Sequence, residues 1–131
     1  MAVLTYTPQA ASAFGTDPGV VLQSAQTGNA DSTNTVDRGN LTGPGALVIT
    51  STVGGTPTVT VNILGSVDGT NFYNVGYSLV ATPETVAVAA ITITTATTTT
   101  YLLRPNHAWR FLKVNMSANT NVTLTSTFYG R

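Results

Sequence analysis

The chain carries few side chains that do acid–base, nucleophilic or metal chemistry. Its 131 residues include one histidine, five acidic and five basic residues, and no cysteine. His107 is the only imidazole, so a Ser-His-Asp arrangement would have to use it. It follows Pro105-Asn106 in a predicted loop with no acid nearby in the sequence, and we interpret it as a surface or interface residue. We therefore expect no catalytic residues and no cofactor, and the chain is predicted not to be an enzyme.

Metal sites and paired carboxylates have equally little support. Zinc requires three or four His, Cys or carboxylate ligands, which this composition hardly supplies. The run Asp68-Gly69-Thr70-Asn71 superficially resembles a calcium loop but lacks the further oxygen ligands and the bidentate glutamate. Most of the five acids lie beside glycines or in the loop-rich first part, which disfavours a glycosidase pair. We predict a simple turn at Asp68 and no metal.

The charge balance limits the possible partners. The formal net charge is zero, and Arg104, Arg110 and Lys113 form only a loose basic cluster, too small for a nucleic-acid-binding face. No stretch reaches the ~18 apolar residues that a membrane span needs, so we expect no membrane partner. The N-terminal residues lack the features of a signal peptide, and assembly in a cytoplasm is expected. A near-zero charge favours self-association, so we predict a homo-oligomer.

The strands that would position any functional site are predicted from a high threonine content and from the alternation of apolar and polar residues. The chain contains 26 threonines, mostly alternating with Val, Ile and Leu. Residues 46–52 and 58–63 alternate cleanly, and the glycines between them predict an antiparallel hairpin. Residues 112–116 and 122–128 alternate as well, with 117–120 as a second predicted hairpin connection. Further strands are predicted at 20–22, 72–77, 84–93 and 97–103, and no window has a convincing helical stripe.

About eight short strands separated by turns predict an all-β fold, an antiparallel β-sandwich or jelly roll. We assign residues 1–19 to a loop-rich N-terminal arm and residues 20–131 to the sandwich domain. Since Leu112, Val114 and Met116 are predicted to face the core, Phe111 should face outward beside Lys113. An outward Trp109–Phe111 pair would then form a contact patch.

The aromatic residues admit three interpretations: a sugar-stacking platform, anchors of a protein interface, or ordinary core packing. We take the following residues as interface candidates: Tyr6, Phe14, Tyr73, Tyr77, His107, Trp109, Arg110 and Phe111.

Three segments resemble small β-sandwich structural proteins of tailed bacteriophages. They are Gly-Ser-Val-Asp-Gly-Thr-Asn-Phe-Tyr-Asn-Val at 65–75, Tyr-Leu-Leu-Arg at 101–104 and Trp-Arg-Phe-Leu-Lys-Val at 109–114. The resemblance covers approximately residues 34–128. For a chain of this size it implies a capsid decoration (cement) protein, which sits on the outside of the mature head, often as a trimer, and clamps neighbouring major capsid subunits.

That resemblance implies a location on the capsid surface of the virion and the major capsid protein as partner. The N-terminal arm would then lie over a neighbour. Two alternatives stay open at this point: a carbohydrate-binding module that stacks sugars on Tyr73, Tyr77 or Trp109, and a structural protein of the phage neck or tail.

Overall fold

The computed structural model describes residues 2–5, 19–39, 45–103 and 109–130. These residues form ten strands in chain order: β1 (Ala2–Thr5), β2 (Val20–Gln26), β3 (Asn34–Asp37), β4 (Gly45–Ser66), β5 (Tyr73–Asn74), β6 (Tyr77–Leu79), β7 (Thr82–Ala87), β8 (Ile91–Ile93), β9 (Thr97–Leu103) and β10 (Phe111–Gly130). None of the described residues is helical, and so none belongs to a helix that could span a membrane. The all-β prediction is confirmed.

Two long antiparallel strands, β4 and β10, organise the fold. They pair from Phe111 opposite Ser66 to Gly130 opposite Gly45. The two predicted hairpins are therefore wrong. Residues 54–57 do not turn the chain back but continue β4, and residues 117–120 likewise continue β10. In both cases glycine or small polar residues interrupt one strand instead of separating two.

The interruption is a corner that both strands share. The register of the pair shifts between Ser117 and Thr120 and again between Thr120 and Val122. Thr56, Ala118 and Asn121 have positive φ angles of 50°, 50° and 57°. Such irregularities bend a strand and increase its twist. Because both halves of each strand bury side chains in one core cluster, the pair folds over at this corner.

Each half of the long pair belongs to one layer. In the first layer the strand order is β2, the second half of β10, the first half of β4, β9, β6 and β7. In the second layer it is β1, β3, the first half of β10 and the second half of β4, whose far edge carries β5 and β8. The described sheet does not close into a barrel. This arrangement is consistent with a sandwich, and the jelly-roll version of the fold stays a prediction.

The core lies between the layers and follows the predicted alternation. Leu47 and Ile49 are buried, as are the odd-numbered apolar residues of 58–63. On β10 the buried apolar side chains are all even-numbered: Leu112, Val114, Met116, Val122, Leu124 and Phe128. β9 has the predicted bounds, whereas the predicted strands at 72–77 and 84–93 are each divided into two shorter ones.

Candidate functional site

The turn that follows β4 is held by one carboxylate. Oδ1 of Asp68 accepts hydrogen bonds from the Ser66 hydroxyl (2.9 Å) and from the backbone N–H groups of Thr70 and Asn71 (both 2.8 Å). Oδ2 accepts a fourth from the Asn71 side-chain amide at 2.9 Å. The two backbone N–H groups, followed by the side-chain donors, hold the pKa of Asp68 far below its usual value of 3.8. The prediction of a tight turn at Asp68 is confirmed.

Phe111, the first residue of β10, lies against this turn. It is half-buried and faces away from the core, because its neighbour Leu112 faces inward. A Cβ atom built on Gly69 would lie 3.2 Å from the Phe111 ring, and Gly69 has a φ of +79°. Glycine suits this position for two reasons: it tolerates the positive φ, and it has no Cβ atom to crowd the Phe111 ring. The predicted outward orientation of Phe111 is confirmed.

Arg110 forms the best-defined ion pair of the described chain. Its Nε and Nη2 donate to the two carboxylate oxygens of Asp37 on β3, at 2.8 and 3.0 Å. The guanidinium carbon also lies 5.0 Å from the centre of the Phe111 ring, within the range of a cation–π contact. Hydrogen bonds from Arg110 hold the pKa of Asp37 below its ordinary value. A two-pronged contact of this kind fixes the orientation of the guanidinium.

Lys113, three residues after Arg110, repeats this arrangement. Its Nζ donates to Oδ2 of Asp31 at 2.8 Å and lies 3.9 Å from the centre of the Phe72 ring. Asn115 donates to the other oxygen of Asp31 at 2.9 Å. Burial alone would raise the pKa of Asp31, but the hydrogen bonds from Lys113 and Asn115 outweigh it and lower the pKa. We call Phe72, Arg110, Phe111 and Lys113, with Asp31 and Asp37, the outer cluster.

Trp109 lies on the other side of the sheet from Phe111. It precedes β10, is half-buried and packs against the hydrophobic core. A Cβ on Gly65 would lie 2.8 Å from the indole ring, and Gly65 is paired with the inward-facing Leu112. The predicted outward Trp109–Phe111 pair is therefore wrong, because Trp109 packs against the edge of the core, which we call its rim.

The ring of Tyr73 lies beside Trp109 at this rim. The two ring centres are 6.3 Å apart at an angle of 33°, and Tyr73 is 59% exposed. We call these two residues the rim pair. Tyr77 is not part of it: its ring packs edge-on against buried Tyr101 at 5.4 Å, and its hydroxyl donates to the Ala89 carbonyl oxygen.

Three further candidates, Tyr6, Phe14 and His107, lie outside the described residues. The structure thus brings together Arg110 and Phe111 in the outer cluster, and Tyr73 and Trp109 in the rim pair. Phe72 and Lys113 belong to the outer cluster but are not among the interface candidates, and sequence reasoning also missed Asp31 and Asp37. They are separated from Lys113 and Arg110 by 82 and 73 positions, so no local pattern indicates the pairing.

The outer cluster is electrically compensated, since each of its two cations is paired with an acid at 2.8 Å. Within the described ranges, no group of three or more His, Asp or Glu side chains is placed to hold a metal ion. An open groove of about 430 Å³ lies at the corner of the two long strands. It is lined by uncharged residues, namely Thr27, Gly54, Asn119, Asn121, Val122 and Thr123.

Comparisons with known proteins identify no relative. No family model matches the chain, and no curated protein or solved structure shows significant similarity to it.

Proposed function

We propose that this chain is a virion structural protein, specifically a capsid decoration protein that binds the outside of a phage head and stabilises contacts between major capsid subunits. The outer cluster is the observation that carries the proposal. Phe111 packs against the turn at Asp68, Arg110 is paired with Asp37 of β3, and Lys113 is paired with Asp31. The three sequence segments that resemble phage structural proteins include most of this cluster, which supports the same assignment.

Three members of the outer cluster, Phe72, Arg110 and Phe111, are of the residue types that protein interfaces favour. Aromatic residues and arginine are enriched at the centres of interfaces, whereas unpaired charges are costly there. Arg110 and Lys113 already have their acidic partners within the chain, so a partner surface that covers them leaves no charge unpaired. An ordinary specific interface buries about 1,200–2,000 Å² of surface.

Stabilisation of the head would follow from repetition and from selectivity. Many copies, each bridging neighbouring shell subunits, add their binding free energies against the pressure of the packaged DNA. If the protein binds the expanded shell and not its precursor, mass action stabilises the expanded state. As the resemblance implies, the copies would act as homo-oligomers, with a trimer the expected form.

Arg110 provides the test. The Arg110→Ala variant should remain folded, because a half-exposed ion pair contributes at most about 1 kcal/mol. A hot-spot arginine contributes about 2 kcal/mol or more, so we expect at least a roughly 30-fold loss of affinity for decoration-free heads in a sedimentation binding assay.

The matched control is Glu84→Ala, which removes an exposed charge from β7 in the other layer. It should bind heads as the wild type does. Equal binding by Arg110→Ala and the wild type would eliminate the outer cluster as the docking surface, and failure of the wild type to bind heads would eliminate the decoration role.

The rim pair favours a second candidate function, carbohydrate binding. An exposed tyrosine ring beside a tryptophan is an arrangement on which a sugar ring can stack. A glycan array probed with the wild type and with Tyr73→Ala tests this candidate. Binding that the substitution abolishes would support it, and an array without signal for the wild type would count against it.

A further inference from the structure

The turn after β4 contains the only place in the sequence where an aspartate or asparagine precedes a glycine. Asp68 is followed by Gly69, and every other aspartate and asparagine is followed by a residue with a side chain. Such a pair is prone to form a succinimide, in which the backbone nitrogen of the second residue attacks the side-chain carboxyl group of the first. Glycine favours this attack because it has no Cβ atom to obstruct it and a freely rotating backbone. Both residues are exposed to solvent.

The reaction needs only water. The Gly69 nitrogen bonds to Cγ of protonated Asp68, a C–O bond of the carboxyl group breaks, and the amide hydrogen leaves with the hydroxyl group as water. A water molecule then adds to one of the two carbonyl carbons of the ring and cleaves the bond from that carbon to nitrogen. Cleavage at Cγ restores aspartate. Cleavage at the backbone carbonyl carbon leaves isoaspartate, whose main chain runs through Cβ and Cγ.

In the folded chain both reacting groups are engaged in other hydrogen bonds. The Gly69 N–H donates to the Ser66 hydroxyl oxygen at 2.9 Å, and that hydroxyl donates to Oδ1 of Asp68, also at 2.9 Å. The backbone N–H groups of Thr70 and Asn71 and the Asn71 side chain bind the same carboxylate. These bonds lower the pKa of Asp68, so the protonated acid is rarer than in the unfolded chain. Attack requires the amide to lose its proton and the carboxyl group to gain one, so the turn must open first.

We infer that Asp68–Gly69 is the principal site of spontaneous isoaspartate formation in this chain, and that the hydrogen bonds of Ser66 and Asn71 keep it unmodified while the turn is folded. Ser66 anchors this protection. It is fully buried, and its carbonyl oxygen accepts a hydrogen bond from the backbone N–H of Arg110 at 3.0 Å. The turn is therefore protected for as long as its first residue stays attached to the segment that leads into β10.

Modification would disrupt the turn and the residue that packs on it. Isoaspartate lengthens the main chain and moves the carboxylate, so the N–H groups of Thr70 and Asn71 lose their acceptor. Gly69, which lies against the Phe111 ring, would shift with them. This inference does not depend on the decoration role. If that role holds as well, a modified chain should bind heads more weakly, because Phe111 belongs to the outer cluster.

Digestion with endoproteinase Asp-N measures the modification, because this protease cleaves before aspartate but not before isoaspartate. The full chain is incubated at neutral pH in water enriched in heavy oxygen and sampled over time. Loss of cleavage between Val67 and Asp68 gives the amount of isoaspartate, and gain of one solvent oxygen by the peptide shows that a succinimide was hydrolysed. We expect the chain unfolded in guanidinium chloride to be modified at least about tenfold faster than the folded chain, since loss of one hydrogen bond to a charged group corresponds to about that factor.

Variants of the turn test the protection in the folded state. Ser66→Ala removes the acceptor of the Gly69 N–H and one donor to the carboxylate, so it should be modified at least about tenfold faster than the folded wild type. Asn71→Ala removes only an exposed donor, should stay folded and should show a smaller acceleration. The matched control is Thr70→Ala, which retains the backbone N–H that binds Asp68 and should be modified at the wild-type rate.

Equal rates in the folded and unfolded wild type would overturn the protection, and so would equal rates in all three variants. Faster modification of another aspartate or asparagine in the unfolded chain would overturn the assignment of the site.

Discussion

Gly65 makes a sharp test of how the rim of the core is packed. A Cβ atom at this position would lie 2.7 Å from Cγ2 of Val75 and 2.8 and 2.9 Å from two atoms of the Trp109 ring. These distances are too short for carbon–carbon contacts. Neither neighbour is the loose end of a flexible side chain, and Val75 is buried, so Gly65→Ala must displace one of them.

Overpacking of this kind costs about 1–3 kcal/mol. For a domain of this size, each 1 kcal/mol lowers Tm by roughly 3–5 °C, so we expect a loss of roughly 3–15 °C. Trp109 is the single tryptophan of the chain, and its fluorescence therefore reports the displacement directly. We expect the emission of Gly65→Ala to shift to the red as the indole becomes more exposed.

The matched control is Gly55→Ala, since a Cβ at Gly55 meets no atom within 4 Å. It should change stability by less than about 0.5 kcal/mol. In addition, Val75→Ala should be less destabilising in the Gly65→Ala chain than in the wild type, because the smaller side chain makes room for the added methyl group. Equal stability of the Gly65→Ala and Gly55→Ala chains, with unchanged fluorescence, would refute this account of the rim.

Two further predictions concern the corner and the outer cluster. Thr56 is a β-branched residue at a φ of 50°, so Thr56→Gly should raise the free energy of unfolding by about 0.5–1 kcal/mol in urea denaturation. Thr58→Gly, the control, should lower it by a similar amount. A lower free energy of unfolding in both variants would contradict strain at Thr56. The pKa of Asp31 is lowered by folding, so this carboxylate stabilises the protein above its ordinary pKa of 3.8 and loses that effect as pH falls through the folded value. Asp31→Asn should accordingly lower Tm at neutral pH, with a difference from the wild type that shrinks below pH 3.8; a difference independent of pH would contradict the ion pair with Lys113.

The alternation of side chains could be read from the sequence, but the connection of the strands could not. Val59, Val61 and Ile63 are buried as their spacing predicts, and β9 has its predicted bounds. Residues 54–57 have the composition of a hairpin turn, yet they form a corner within β4. What decides between the two is the pairing of both halves of β4 with β10, a long-range contact that no local pattern encodes.

The same holds for the candidate site: its local features could be predicted from the sequence, and those that depend on the order of the strands could not. The outward orientation of Phe111 follows from the period of β10, and the turn at Asp68 follows from its Asp-Gly sequence. The ion pairs of Arg110 and Lys113 require β3 and the chain before it to lie beside β10, which depends on the order of the strands. The position of Trp109 was predicted wrongly because the alternation of the strand was extended back to it, whereas β10 begins only at Phe111.

The copy number of this chain in purified phage particles, measured by quantitative mass spectrometry against the major shell protein, tests the decoration role most directly. The account predicts many copies per particle, in a simple ratio to the shell subunit. A few copies per particle would place the protein in the neck or tail, and its absence from particles would contradict a virion role altogether.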